Sequence, residues 1–180
     1  MIKGKKVILR LFKETDLHKY IEETENVLAT GEFLFVAPPS LSELRKSFNE
    51  NNLWGQNMGR FLITDLEDNL LGSITYFKPT FYIEGYELSY KIFNEKNRNK
   101  GYMTEALNLM TSFMFSWKNI VRLQILVPEN NIASWKIAEK CGYGFEGIMR
   151  KSVYIKGNLH DLKMYSILKD ESKSIDEITS

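Results

Sequence analysis

"NEKNRNKGYMTEAL", Asn94 to Leu107, is the stretch on which the fold turns. A polar, basic run ends at Gly101. Beyond it Ala106, Leu107, Met110, Phe113, Met114 and Trp117 recur at helical spacing. Just before it, "YELSYKIF" (Tyr86–Phe93) alternates Tyr86, Leu88, Tyr90 and Ile92 with Glu87, Ser89, Lys91 and Phe93, the pattern of a strand. The spacing therefore predicts a strand, a short basic loop and a helix. The first N–H groups of a helix have no partner within it, and the helix dipole makes that end positive. Gly101 lets backbone amides come close to a ligand, and Arg98 and Lys100 add charge. A diphosphate suits such a place. The alternative is a solvated basic turn. The stretch is neither a GxxxxGK[ST] loop nor a GxGxxG fingerprint.

Working outward, "VILRLF" (Val7–Phe12) reads as a first strand and "ETDLHKYIEETEN" as a helix with Leu17, Tyr20 and Ile21 on one face. "PPSLSELRKSFNEN" starts a second helix, with Ser40 and Glu43 at capping-box spacing. "RFLITDLEDNLLGSITYF" reads as a hairpin turning at "LEDN". After the central helix, "RLQILV" (Arg122–Val127) is a strand, and "NIASWKIAEKCG" a helix with Asn131 as N-cap and Gly142 as its stop. A last hairpin turns at Gly157–Asn158. The sum is an α/β chain in mixed order, not a strict βαβ repeat. Residues 1–172 read as one domain and 173–180 as a flexible tail.

Composition narrows the function. The 180 residues are enough for one core without disulfides, and a net charge of +1 does not mark a nucleic-acid binder. No apolar run approaches the ~20 residues of a membrane helix. The start of the chain lacks a signal peptide's apolar run, and Cys141 is the lone cysteine, so the cytoplasm is the expected compartment. His18 and His160 have no ligand companions, so no metal site is expected.

"RNKGYMTEAL" resembles the acetyl-CoA loop of the GCN5-related N-acetyltransferases (GNAT), [QR]-x-x-G-x-[GA], with Arg98, Gly101 and Met103 in the three fixed positions. Met103 departs from the usual small residue. Methionine there, followed by Thr-Glu-Ala, is similar to the branch that acetylates ribosomal-protein N-termini. "KKVILRLFKETDL", "YELSYKIF", "ENNIASWKIAEKCGYGFEG" and "GNLHDLKMYSILKDE" resemble that branch's other segments, in order, over residues 5 to 171. The resemblance implies a mixed sheet of about seven strands, splayed between the fourth and fifth, flanked by about four helices. Acetyl-CoA would lie in that gap as cosubstrate. Its diphosphate would rest on amides of Asn99, Lys100, Gly101, Tyr102, Met103 and Thr104, and its pantetheine arm along Ile92 and Phe93. Lys96, Arg98, Lys100 and Lys140 are cations near the nucleotide; Lys96 and Lys140 also read as plain surface lysines.

The reaction so implied is attack of an amine on a thioester. It needs a group to take the amine proton, polarisation of the carbonyl and help for the leaving sulfur. Glu87 matches an acidic position of the branch and is the candidate base; a strand carboxylate facing solvent or pairing with Lys91 is the alternative. Many family members carry a tyrosine seven positions after Asn131, but here that position is Ala138. Ser134 matches the serine of the ribosomal-protein branch and is the candidate for the sulfur. A glutamate that some members place in the last hairpin is here Val153. Phe35, Trp54, Tyr82 and Glu87 are expected along the acceptor cleft, and Glu146 is expected to pair with Arg150. The expected acceptor is a protein N-terminal α-amine. A small amine such as a polyamine, an antibiotic or an amino acid is the rival, and a non-catalytic CoA-binding module a third reading. Pairing into a homodimer through sheet edges is common in the family.

Overall fold

The computed structural model describes residues 1–24, 33, 40–80 and 84–180. Phe35 and Tyr82, expected in the acceptor cleft, lie outside the described residues. Among the described residues eight strands make one sheet: β1 (Ile2–Lys3), β2 (Ile8–Arg10), β3 (Met58–Thr64), β4 (Leu70–Phe77), β5 (Gly85–Ile92), β6 (Arg122–Pro128), β7 (Gly144–Ile155) and β8 (Asn158–Leu168). Their spatial order is β1-β2-β3-β4-β5-β6-β8-β7. Every pairing is antiparallel except β5 with β6. The helices are α1 (Asp16–Thr24), α2 (Leu41–Asn51), α3 (Tyr102–Trp117), α4 (Ile132–Lys140) and α5 (Ile175–Thr179). Among the described residues no helix is long and apolar enough to cross a membrane.

Two elements exceed the expected seven strands and four helices. Strand β1 pairs only Ile2 with Leu9 and Lys3 with Ile8, too short a run to show a period. Helix α5 forms in the stretch expected as a tail. Ser174 and Glu177 make a capping box, and Ile178 packs against the main core. The capping box expected at α2 forms: Ser40 N–H donates to Glu43 Oε2 at 3.0 Å, and Glu43 N–H to Ser40 Oγ at 3.3 Å. A literal G-x-G-x-x-G does occur, at Gly142–Gly147, but it leads from the end of α4 into β7, not from a strand into a helix.

Strand alternation gives the sheet two buried faces. Leu9, Ile63, Ile74, Leu88, Leu123 and Ile125 pack with Leu107, Met110 and Met114 of α3. On the opposite face Leu62 and Phe93 pack with Leu17 and Tyr20 of α1 and Leu44 of α2. In β5 the first face takes Tyr86, Leu88, Tyr90 and Ile92, and the second Glu87, Ser89 and Lys91, continued by Phe93 just past the strand's end.

The sheet opens between β5 and β6. The strands share three rungs, Gly85 with Arg122, Tyr86 with Leu123 and Glu87 with Gln124, and then part. Gly85 permits the close start, because a Cβ there would run into the Arg122 carbonyl oxygen. Among the described residues no strand pairs with the β6 side of β5 from Leu88 to Ile92. The expected splay is thus present.

Candidate active site

The mouth of α3 lies beside this breach. Its N-cap is Gly101 at φ +83°, and no side chain caps the helix. Asn99 is also left-handed, at φ +60°. Glycine and asparagine are the residues that take this conformation most readily. The amides of Tyr102, Met103 and Thr104 are therefore at a helix end with no capping side chain, which suits an anion. Arg98 is exposed beside them and pairs with Glu95 at 2.9 Å.

An acid in this first turn would oppose an anion. Glu105 is instead consumed by the N-terminal hairpin: its carboxylate accepts from the main-chain N–H groups of Lys5 at 2.8 Å, Lys6 at 2.8 Å and Val7 at 2.9 Å. Lys6 Nζ in turn donates to the Lys100 carbonyl at 3.3 Å. Lys6 and Glu105 were missed in the sequence because almost a hundred residues separate them and no local pattern links them.

Main-chain direction within the breach follows from one bond. Phe93 N–H donates to the Leu71 carbonyl of β4 at 3.0 Å. Alternate residues of a strand point their polar groups to opposite sides. Those of Tyr90 and Ile92 therefore turn towards the gap, while Phe93 is committed to β4. Of the two residues expected to line the pantetheine arm, Ile92 alone has its amide on the open side.

Helix α4 starts across the gap. Asn131 Oδ1 accepts from Ser134 N–H at 3.3 Å, so the expected N-cap forms. Ser134 Oγ donates to the Tyr90 hydroxyl at 3.2 Å, and that hydroxyl donates to the Ser134 carbonyl at 3.0 Å. Burial drives the Tyr90 phenol well above its ordinary range. The strand alternation places Tyr90 on the apolar face and says nothing more of it. Its partner Ser134 is 44 residues on, so the contact had no local signal.

Glu87 stands on the opposite face of β5, at the last shared rung. It is 8% exposed, so it is not a solvent-facing carboxylate. Gln124 Nε2 donates to its Oε2 at 3.0 Å. Burial raises the Glu87 carboxyl above its ordinary value, while the Gln124 hydrogen bond pulls the other way. Gln124 is 2% exposed, and its Oε1 has no hydrogen-bond partner among the described residues. Glu146 lies beyond it. Its expected partner Arg150 is replaced by Arg122, which grips it with two bonds of 2.6 Å, and Ser166 Oγ adds a third at 2.6 Å. Strand order explains the exchange: β8 pairs with both β6 and β7, which brings Arg122, Ser166 and Glu146 together. The Arg122 hydrogen bonds hold the Glu146 carboxyl down at about 2.

Trp54 is not brought to this face. Its ring centroid is 4.9 Å from Phe61, 5.3 Å from Tyr76 and 4.3 Å from Trp117, within the packing on the α3 side. The expected cleft aromatic is partly buried and packs against the main core, where two strands and α3 meet around it. Cys141 is buried, its thiol raised to about 12 by that burial. Among the described residues no cluster of three or more His, Cys, Asp or Glu side chains could hold a metal ion.

An uncapped helix mouth beside a parted sheet, with an extended strand offering free amides, fits a diphosphate joined to an extended arm. Known proteins agree with that fit. Residues 6–144 match the family described as Acetyltransferase (GNAT) domain. The uncharacterized N-acetyltransferase YnaD of Bacillus subtilis is 28% identical over 174 residues, covering 94% of this chain and 98% of its own. The putative ribosomal N-acetyltransferase YdaF of the same species is 33% identical over 85 residues, covering 47% of this chain and 46% of its own. The crystal structure of spermidine N-acetyltransferase from Vibrio cholerae in complex with CoA and spermine superposes with a TM-score of 0.81 at 22% identity, covering 93% of this chain and 98% of that one. The chain therefore belongs to the GNAT family and is an N-acetyltransferase that draws its acetyl group from acetyl-CoA.

Proposed function

We propose that this acetyltransferase works in the cytoplasm on the N-terminal α-amine of a protein, a ribosomal protein being the first choice. One observation carries the reading. Among the described residues Glu87 is the buried carboxylate at the foot of the breach, and the neighbouring carboxylate, Glu146, is spent on Arg122 and Ser166. One available carboxylate suits one amine. A polyamine presents several ammonium groups and calls for several acids.

Charge states favour the same acceptor. An α-amine has a pKa near ~7.7–8.0, so much of it is neutral at mildly alkaline pH, whereas an alkyl amine near ~10.4 is almost wholly protonated. A carboxylate whose pKa is raised by burial can relieve the first of its proton far more readily than the second.

In this reading acetyl-CoA supplies an activated acyl carbon. The amides from Asn99 to Thr104 hold its diphosphate, and Ile92 N–H polarises the carbonyl. Glu87 takes the amine proton, directly or through a water. Ser134 Oγ–H donates to the sulfur as negative charge builds there. The new bond joins nitrogen to the acyl carbon, and the electron pair of the broken C–S bond stays on sulfur.

A second reading, a polyamine acceptor, has its own support: the V. cholerae relative of the same fold is a spermidine enzyme. One screen separates the two. Turnover of acetyl-CoA is measured with peptides of varied first residue, with the same peptides blocked at the N-terminus, and with spermidine and spermine. Peptides with free N-termini should be turned over and blocked ones should not. A kcat/KM for spermidine above that of every peptide would replace the first reading with the second.

A further inference from the structure

We infer that Tyr90 is a positioning residue for Ser134: a hydroxyl delivered from β5, across the breach, in place of the tyrosine that α4 lacks. The inference rests on the proposal that Ser134 donates to the departing sulfur.

The geometry is specific to one residue. The Tyr90 hydroxyl lies 3.2 Å from Ser134 Oγ and 3.0 Å from the Ser134 carbonyl oxygen. The third polar group of Ser134, its N–H, is held by Asn131. A helical serine commonly donates back to the preceding turn, as Ser116 does to the Ser112 carbonyl at 2.9 Å. Ser134 makes no such bond and turns its hydroxyl to the breach instead. On α4 itself the tyrosine position is Ala138, fully buried, so that helix offers no phenol. The Tyr90 ring packs against the main core, which fixes its hydroxyl in place. Burial also keeps the phenol protonated and therefore a donor.

The two hydroxyls can exchange roles without moving a heavy atom. At rest Ser134 donates to Tyr90 and Tyr90 donates to the Ser134 carbonyl. If the Tyr90 hydrogen swings onto Ser134 Oγ, the serine hydrogen is freed to face the breach. Ser134 then donates to the sulfur while itself accepting from Tyr90, and a donor polarised in this way binds developing charge better. Neither hydroxyl loses its proton. The amine proton goes to Glu87, and the sulfur leaves with the electron pair and takes its proton from water.

The test uses CoA and desulfo-CoA, in which hydrogen replaces the thiol. Their Kd values are measured by calorimetry between pH 7 and 9.5 on the wild type, Tyr90→Phe and Ser134→Ala, with kcat and Tm alongside. In the wild type CoA should gain affinity over desulfo-CoA as its thiol ionises, by about tenfold, the worth of one charge-assisted hydrogen bond. Both variants should lose that gain, keep the wild-type affinity for desulfo-CoA and show kcat lowered about tenfold. If Ser134→Ala loses the gain and Tyr90→Phe keeps it, Tyr90 has no part and the serine reading stands. If Ser134→Ala keeps it, the serine reading itself fails. If Tyr90→Phe weakens both ligands equally, Tyr90 is packing only and the inference is overturned. Should Tyr90→Phe fold poorly, 3-fluorotyrosine at position 90 retains the hydroxyl and must retain the gain.

Discussion

Gln124 donates to Glu87 across the last rung that β5 and β6 share, at 3.0 Å. Because this bond favours the ionised carboxylate, it opposes the effect of burial. If Glu87 is the base, Glu87→Gln should lower kcat on the order of 10²-fold or more, the usual worth of general base catalysis. Gln124→Leu removes the opposing bond. It should move the acid limb of kcat, measured at saturating peptide, to higher pH while leaving the plateau within several-fold of the wild type. A limb that stays in place in Gln124→Leu would detach Glu87 from proton transfer.

The same burial makes Glu87 costly to the fold. Below its ordinary pKa of 4.5 the group is neutral in both the folded and unfolded chain, and nothing is lost. As pH climbs from there to the raised folded value, the unfolded chain ionises first, and stability drains away. Above the folded value the loss is complete. Glu87→Gln escapes it. This variant should therefore be more stable than the parent at pH 7, by about 2–4 °C in Tm for each kcal/mol relieved. Thermal melts at several pH values should show the gap closing below about 4.5, the ordinary value. A variant less stable at pH 7 would contradict the desolvation argument.

The order of strands and helices was legible because it rests on local periods. Leu107, Met110 and Met114 announce α3, and the β5 alternation correctly separates Tyr90 from Glu87. What sequence could not supply were partners two strands or a hundred residues away. Sequence proximity points Glu146 to Arg150, a near neighbour, whereas sheet order delivers Arg122. Trp54 sits in a polar stretch and so reads as an acceptor-cleft aromatic, yet Phe61, Tyr76 and Trp117 converge on it from three elements. The serine end of the Tyr90–Ser134 contact was legible by resemblance, and its tyrosine end was not, because an aromatic on a buried face looks like core until a hydroxyl partner appears.

Gly101 offers a test of the α3 mouth. At φ +83° an alanine would be strained by about 1–2 kcal/mol, and its Cβ would sit 3.4 Å from Lys6 Nζ. Gly101→Ala should lower Tm by roughly 2–8 °C. It should also raise KM for acetyl-CoA several-fold while KM for the acceptor changes little. An unchanged KM for acetyl-CoA would move the diphosphate away from these amides.

Glu105 joins that mouth to the start of the chain. Glu105→Ala would strand the N–H groups of Lys5, Lys6 and Val7, of which Lys5 and Lys6 are exposed and can turn to water. The net loss should be about 2 kcal/mol, less than three charge-assisted bonds would suggest. Hydrogen exchange should then quicken first in β1 and β2, before the rest of the sheet. Uniform quickening across all strands would mean that Glu105 holds the whole domain rather than its first hairpin.

Glu146 should show the opposite pH dependence to Glu87. Its folded pKa is depressed to about 2 from an ordinary 4.5, chiefly by the Arg122 hydrogen bonds. Its contribution is therefore fully present above the ordinary value and is lost as pH falls through the folded one. The side chain is 39% exposed, so water screens the pair, and a contribution of about 1 kcal/mol is the reasonable expectation. Glu146→Gln should be less stable than the parent by that amount at pH 7, and the deficit should shrink as pH drops from 4.5 towards 2. Urea unfolding of Glu87→Gln and Glu146→Gln over the same pH series gives both signs in one experiment: one gap closes from above the parent, the other from below. If the Glu146→Gln deficit stays constant down to acid pH, the lost bond is not an ionic one, and the carboxylate with its partner Arg122 would have to be reassigned to packing alone.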